Sequence, residues 1–157
     1  MKKIIVIIDK KRGIAKNGKM PWYLPTDFKN FKQKTSTGSK IVLMTGKTFR
    51  SMKRPLSGRH NVIWTKDKSI AGEGVQAISD LDGFLQRTGD VWIIGGTALF
   101  EKTLDLADEL YVTRIDHDFD CDRFFPPFEN KFDMESTSGE ITENGLNFHF
   151  EKWVKKR

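Results

Sequence analysis

The stretch Val91-Trp92-Ile93-Ile94-Gly95-Gly96-Thr97-Ala98-Leu99-Phe100 decides the fold class. Its apolar, β-branched start reads as a strand buried on both faces. Paired glycines end the strand, and Leu99, Phe100 and Leu104 then follow a helical pattern. A strand running straight into a helix is the repeating unit of a parallel sheet. Working outward, Ile4–Ile8, Ile41–Met44, Asn61–Trp64 and Leu110–Ile115 read as further buried strands. Thr26 or Asp27 can cap a helix running to about Lys34, with Phe28 and Phe31 on one face. Ser79 can cap another through Phe84 and Leu85. The alternation predicts an α/β fold with a mostly parallel sheet. The C-terminal third differs, because Met134–Ile141 and Leu146–Val154 flank Glu143-Asn144-Gly145. Asn-Gly is a strong hairpin turn, so an antiparallel hairpin is expected there.

At 157 residues the chain suits one domain, expected to span residues 1–157. With 38% hydrophobic and 31% charged residues the composition is that of a globular protein. The single cysteine, Cys121, excludes an internal disulfide framework and fits a reducing compartment. Ile4–Ile8 is too short for a signal or membrane segment. A soluble, cytoplasmic protein with no membrane partner is therefore expected. A net charge of +6 favours anionic partners. The basic residues are dispersed, however, and Lys155, Lys156 and Arg157 read as a solvated tail. Neither a basic stripe nor an RNA-recognition aromatic motif is present, so no nucleic-acid partner is expected.

Three segments are candidates for chemistry. In Met20-Pro21-Trp22-Tyr23-Leu24-Pro25-Thr26-Asp27-Phe28, two prolines stiffen an aromatic stretch between strand and helix. Such a stretch makes a wall or lid for a flat ligand, and Lys16-Asn17-Gly18-Lys19 before it reads as a mobile loop. Asp27 reads equally as a helix cap and as a functional carboxylate. In Lys40–Thr48 a strand runs into Gly46-Lys47-Thr48, but Ile41 stands where a phosphate-binding P-loop requires glycine. An ordinary turn with a solvated Lys47 stands level with a single phosphate contact. Gly95-Gly96 allows close backbone approach to a pyrophosphate. It lacks the dinucleotide fingerprint, so alone it is read first as a structural turn. The run Asp116–Asp122 fails as a calcium loop, with Cys121 and Pro127 where glycine and glutamate belong, and reads as a solvated acidic loop. His60, His117 and His149 have no zinc spacing, so no metal is expected.

In their order, these segments resemble the dihydrofolate reductase family across nearly the whole chain. Thr48-Phe49-Arg50-Ser51-Met52, Arg54-Pro55-Leu56-Ser57-Gly58-Arg59, Ile94-Gly95-Gly96, Tyr111-Val112-Thr113 and Phe125-Pro126 add to the Met20–Phe28 match, with Phe31 following. The resemblance implies that family's single-domain, three-layer α/β fold. It also implies reduction of dihydrofolate to tetrahydrofolate, in support of one-carbon and thymidylate metabolism, by a monomer open to antifolate inhibitors. A hydride would pass from NADPH to pterin C6, with a proton going to N5. Asp27 would hydrogen-bond the pterin's amino group and ring nitrogen, supported by Thr113. Trp22 would hold a water and Met20 would lie in the lid. Phe28, Phe31, Met52 and Leu56 would line the folate site, while Ile5 and Ile94 offer backbone carbonyls. Arg59 would pair with the glutamate tail's α-carboxylate. The NADPH channel would take Val6, Ile7, Ile14, Met20, Thr45, Gly46, Lys47, Thr48, Trp64, Thr65, Lys66, Gly95, Gly96, Thr97, Ala98, Leu99 and Phe100.

This sequence departs from the family pattern in places. The usual Met-Gly-Arg-x-Thr reads Met44-Thr45-Gly46-Lys47-Thr48, so the arginine that grips the 2′-phosphate is missing. Another common arginine is Ala98. Lys47 and Lys66 are the replacements to consider, as point charges. Ala15 replaces a glycine before the lid, which would restrict its motion. Val6 and Ile7 are larger than usual, narrowing the floor near the nicotinamide and affecting antifolate binding. A related pteridine or pyrimidine reductase, a basic nucleic-acid module and an inactive family member are the competing readings. Asp27, Phe31 and Arg59 together favour folate.

Overall fold

The computed structural model describes residues 1–157. Its strands are β1 (Lys2–Ile8), β2 (Gly13–Ala15), β3 (Ile41–Thr45), β4 (His60–Trp64), β5 (Val75–Ile78), β6 (Val91–Gly95), β7 (Glu109–Ile115), β8 (Arg123–Phe124), β9 (Phe132–Thr137), β10 (Ile141–Glu143) and β11 (Leu146–Lys155). Its helices are α1 (Pro25–Thr35), α2 (Gly46–Met52), α3 (Leu81–Arg87) and α4 (Thr97–Thr103). The main sheet runs β10-β11-β7-β1-β6-β3-β4-β5, with β9 also on β11. From β7 to β5 every neighbouring pair is parallel, and β11 is antiparallel to β7, β9 and β10. The expected mostly parallel sheet with an antiparallel C-terminal end is therefore present. A separate two-stranded sheet pairs β2 with β8.

The period-two rule sorts the core into faces. Ile4, Val6 and Ile8 of β1 pack with Leu43, Val62, Ile93, Val112 and with Phe84, Leu85, Leu99 and Phe100 of α3 and α4. Ile5 points the other way, into a cluster with Val42, Met44, Ile63 and Trp92, against which Phe31 of α1 and Phe49 and Met52 of α2 pack. Ile7 joins a third cluster with Trp22, Leu24, Ile115 and Phe148. The candidate site stands on these last two clusters, between α1, α2 and the sheet.

Several local expectations need correction. Neither Thr26 nor Asp27 caps α1: Leu24 occupies that position without a side-chain bond, and Pro25 opens the helix, where its missing N–H costs nothing. Asp80, not Ser79, caps α3, its carboxylate accepting from Gly83 N at 3.0 Å. Met134–Ile141 is not one strand. It breaks around Ser138-Gly139-Glu140 into β9 and β10, which pair with different ends of β11. The predicted turn does form, with Asn144 (φ 51°) and Gly145 (φ 74°) both left-handed, as a two-residue hairpin requires. Lys16–Lys19 is likewise a tight turn, with Asn17 at φ 51° and backbone bonds in both directions between Lys16 and Lys19. The short strands β2, β5 and β8 were not expected, since two to four residues give too little alternation to read. No helix is long and apolar enough to cross a membrane.

Candidate active site

Asp27 lies in the first turn of α1 and turns its carboxylate to the sheet. There Thr113 of β7, itself buried, donates its hydroxyl to Asp27 Oδ1 at 2.6 Å. The two readings of Asp27 thus separate, because its carboxylate bonds across the fold and caps nothing. Crowding by protein raises its pKa to about 6. The Thr113 bond pulls it down and the Glu143 charge pushes it up further. A carboxyl with that value changes protonation close to neutral pH, unlike an exposed aspartate.

Around this carboxyl the structure gathers most of the folate-site candidates. Ile5, Phe31, Met52, Leu56 and Ile94 share one apolar cluster with Phe49 and Tyr111. Phe28 lies apart, largely exposed and tilted against Tyr23. Met20 is about half exposed. Trp22 is buried edge-on to Phe119, and its Nε1–H has no partner within the protein. An unpaired buried N–H is costly, so this donor calls for an acceptor at the site.

Arg59 is buried, yet no carboxylate faces it. Its Nη1 donates to Thr35 Oγ1 at 3.0 Å and its Nε to the Ser57 carbonyl at 3.0 Å. Desolvation lowers its pKa. A buried guanidinium without a counter-ion is costly and fits an anionic ligand. Asn61, fully buried at the start of β4, fixes the loop that delivers it. Its side chain bonds Leu56 N, Leu56 O and Arg59 O at 2.9–3.0 Å. Thr35 and Asn61 are positioning residues that the sequence reading missed. A polar residue opening an apolar strand was the available signal for Asn61.

The cofactor candidates collect at the carboxyl ends of β3, β4 and β6. Thr45 Oγ1 accepts from Thr48 N and Gly96 N, both at 3.3 Å, so one hydroxyl ties β3, α2 and the glycine pair together. The Gly95–Gly96 peptide is cis and Gly95 has φ 127°, a conformation suited to glycine. A Cβ on Gly96 would lie 3.3 Å from Thr48 Oγ1, so the bare backbone keeps this approach open. Ile14, Ile7, Trp64, Thr65 and Thr97 are partly exposed, and Lys47, Lys66 and Ala98 are exposed. Val6, Leu99 and Phe100 are buried in the core on the α4 side, where the Leu99 side chain is fully enclosed. A bare glycine backbone beside a group of cations suits a phosphorylated dinucleotide.

The lid segment is pinned. Asp9, fully buried, accepts from Lys11 N (2.9 Å), Gly13 N (2.7 Å) and Phe119 N (3.1 Å). Asp122 N donates to Ala15 O at 2.9 Å, and Asn17 N donates back to Asp122 Oδ2 at 3.0 Å. The acidic run therefore anchors the lid instead of standing free in solvent. Burial raises the nearby Cys121 thiol to about 12, so it stays protonated. At the other side of α1, Glu143 accepts from Thr26 N (3.0 Å) and Thr26 Oγ1 (2.6 Å), and Asn144 Nδ2 donates to Tyr23 O at 2.8 Å. The C-terminal hairpin thus latches the entry to α1. No group of histidines, cysteines and carboxylates that could hold a metal is present.

Comparisons with known proteins agree with this geometry. Residues 1–155 match a family model described as dihydrofolate reductase. A dihydrofolate reductase of Staphylococcus aureus is 40% identical over 157 residues, covering 98% of each chain. The bifunctional dihydrofolate reductase-thymidylate synthase 1 of Arabidopsis thaliana is 37% identical, with 97% of this chain and 34% of that protein covered. Among solved structures, a dihydrofolate reductase from Enterococcus faecalis complexed with NADP(H) and RAB-propyl superposes with a TM-score of 0.86. It is 28% identical, and the match covers 100% of this chain and 97% of that one.

Proposed function

The chain belongs to the dihydrofolate reductase family and reduces dihydrofolate to tetrahydrofolate with NADPH, and we propose that Asp27 with Thr113 carries the substrate half of that reaction. The single observation behind this reading is a carboxyl of pKa about 6, bonded to a buried threonine, on the rim of an apolar cluster. Ionised Asp27 accepts from the pterin's amino group and ring nitrogen, two donors spaced for the two oxygens of one carboxylate. Thr113 fixes the rotation of that carboxylate. Phe31, Met52, Leu56 and Ile94 stack on the pterin and benzoyl rings, and Phe28 borders the mouth. The backbone carbonyls of Ile5 and Ile94 receive the pterin's far edge. Arg59 pairs with the α-carboxylate of the glutamate tail, supplying the counter-ion that the protein withholds.

When bound, NADPH supplies the hydride received at pterin C6. The chain's own part is to align, to exclude water and to manage the proton bound for N5. Asp27 raises the proton affinity of its surroundings, and Trp22 Nε1–H orients a water near the site. Met20 closes over the reacting rings, and Ile14, Ile7 and Val6 set the floor below them. Thr45, Gly46, Lys47, Thr48, Trp64, Thr65, Lys66 and Gly95 to Ala98 border the cofactor, while Leu99 and Phe100 back that wall from within the core. We take the 157 residues as one domain acting as a cytoplasmic monomer, without nucleic-acid or membrane partners, and open to antifolates.

The test follows absorbance of reduced nicotinamide in purified protein given dihydrofolate and NADPH. Turnover is expected. No turnover with NADPH or NADH overturns the reading, and activity that survives loss of Asp27 overturns its residue assignment. A single species of 18.1 kDa in sedimentation checks the monomer.

A further inference from the structure

NADPH and NADH differ only in a 2′-phosphate, so a chain that uses NADPH must hold that dianion somewhere. The cations at the carboxyl ends of β3 and β4 are Lys47, Arg50 and Lys66, brought side by side by the parallel pairing of Thr45 with Trp64, with Lys102 of α4 set 5.9 Å over the Trp64 ring. Arg50 differs from the two lysines in placement. It stands four residues after Gly46, on the same face of α2, and bends back over it. A Cβ built on Gly46 would meet Arg50 Nη1 at 3.1 Å and Thr65 Oγ1 at 3.5 Å. The guanidinium thus lies in the space that a side chain at residue 46 would fill, facing Thr65. The guanidinium is exposed, and none of its N–H groups makes a hydrogen bond or ion pair within the protein. Its charge acts on Asp67, whose Oδ1 is already engaged by Ser69 N and Ser69 Oγ.

We propose that Arg50 determines the cofactor preference, its guanidinium reaching across Gly46 to take the 2′-phosphate together with Thr65 Oγ1. Glycine at residue 46 is then part of the device, since any larger residue displaces the guanidinium. The planar fork binds two phosphate oxygens in a fixed bidentate geometry, whereas the ammonium groups of Lys47 and Lys66 act as point charges without that geometry. The lysines add field without direction. This inference rests on the NADPH-dependent reading above.

The test is direct binding, measured by quenching of tryptophan fluorescence with NADPH and with NADH, in the absence of dihydrofolate. Wild-type protein is expected to bind NADPH more tightly than NADH. Arg50→Gln is expected to weaken NADPH by about 10-fold to 100-fold, the range for losing a charge-assisted bidentate contact, and to leave NADH within about 2-fold. Restoring a guanidinium from the other position, in Gly46→Arg combined with Arg50→Gln, should recover the preference. Equal weakening of both cofactors, or an unchanged preference in Arg50→Gln, overturns the assignment. So does loss of the preference in Lys47→Gln or Lys66→Gln to the same extent. Wild-type protein that binds neither cofactor, by contrast, defeats the NADPH reading itself.

Discussion

Arg59 and Arg50 mark the two ends of the site and solve the same problem in opposite ways. Both guanidiniums lack a protein carboxylate. Arg59 is buried, braced by Thr35 and Ser57, and delivered by a loop fixed on Asn61. Arg50 is exposed, unbraced, and rests over a glycine. A buried unpaired cation carries a standing desolvation cost, which an anionic ligand offsets when it binds. An exposed one costs little and is easily exchanged. The folate wall is therefore the rigid half of the molecule and the nucleotide wall the adjustable half.

The harshest way to break the rigid half is Asp27→Asn. It should lower kcat/KM by about 100-fold or more near neutral pH, the scale of losing a group that manages a proton. The loss should shrink in acid, where solvent supplies protonated substrate. A loss that is equal at every pH removes Asp27 from proton management. Stability should move the other way. Burial raises the folded-state pKa from 3.8 to about 6, so ionisation weakens the fold as pH climbs through that window. The neutral asparagine should thus stabilise the protein by about 1–3 kcal/mol above pH 6 and by almost nothing near pH 3. Denaturant melts at both pH values check this.

Arg59→Leu should come next. Losing one partner of a buried charge pair should raise KM for dihydrofolate by about 100-fold, with a much smaller change in kcat. A pterin substrate lacking the glutamate tail should hardly notice the substitution. If both substrates suffer equally, Arg59 holds the loop and not the carboxylate.

The same contrast explains what could be read from sequence. Strands such as Val91–Gly95 announced themselves because a parallel sheet buries both faces. The Met20–Phe31 segment carried the recognisable motif but only Asp27, Phe28 and Phe31 of the folate wall, the rest coming from β1, α2, the loop before β4, β6 and β7. Asp27 could not be assigned from spacing, since a cap and a catalytic carboxyl occupy the same helical turn. The answer lay eighty-six residues away, in Thr113. Arg50 lies within the Thr48–Met52 motif, but no spacing rule marks it, because its placement depends on what Gly46 lacks. Glu143 and Asn144 read only as a turn, and their grip on Thr26 and Tyr23 exists only once β10 is placed beside α1.

On the adjustable half, Gly46→Ala is the gentler probe. A methyl group 3.1 Å from Arg50 Nη1 must push the guanidinium aside by a few tenths of an ångström. The NADPH preference over NADH should fall by about 3-fold, since a displaced charge-assisted contact is weakened and not removed. No change in the ratio of the two dissociation constants would mean that Arg50 has room to spare.

The smallest effect joins the hairpin to the rigid half. Glu143 accepts two bonds from Thr26, which hold its own carboxyl below its usual pKa, so it is ionised wherever Asp27 titrates. Its charge adds to the elevation of the Asp27 carboxyl. Glu143→Gln keeps an acceptor for Thr26 and deletes the charge, so the Asp27 titration should move to lower pH. Carboxyl-carbon NMR across the acid range reads that midpoint directly. The direction alone does not discriminate: loosening of the latch would let water reach Asp27 and shift the midpoint the same way, but would also lower the melting temperature. A downward shift at constant melting temperature isolates the charge. A midpoint that stays fixed shows that water screens Glu143 from the site, leaving burial and the opposing Thr113 bond to set the carboxyl that defines the folate wall.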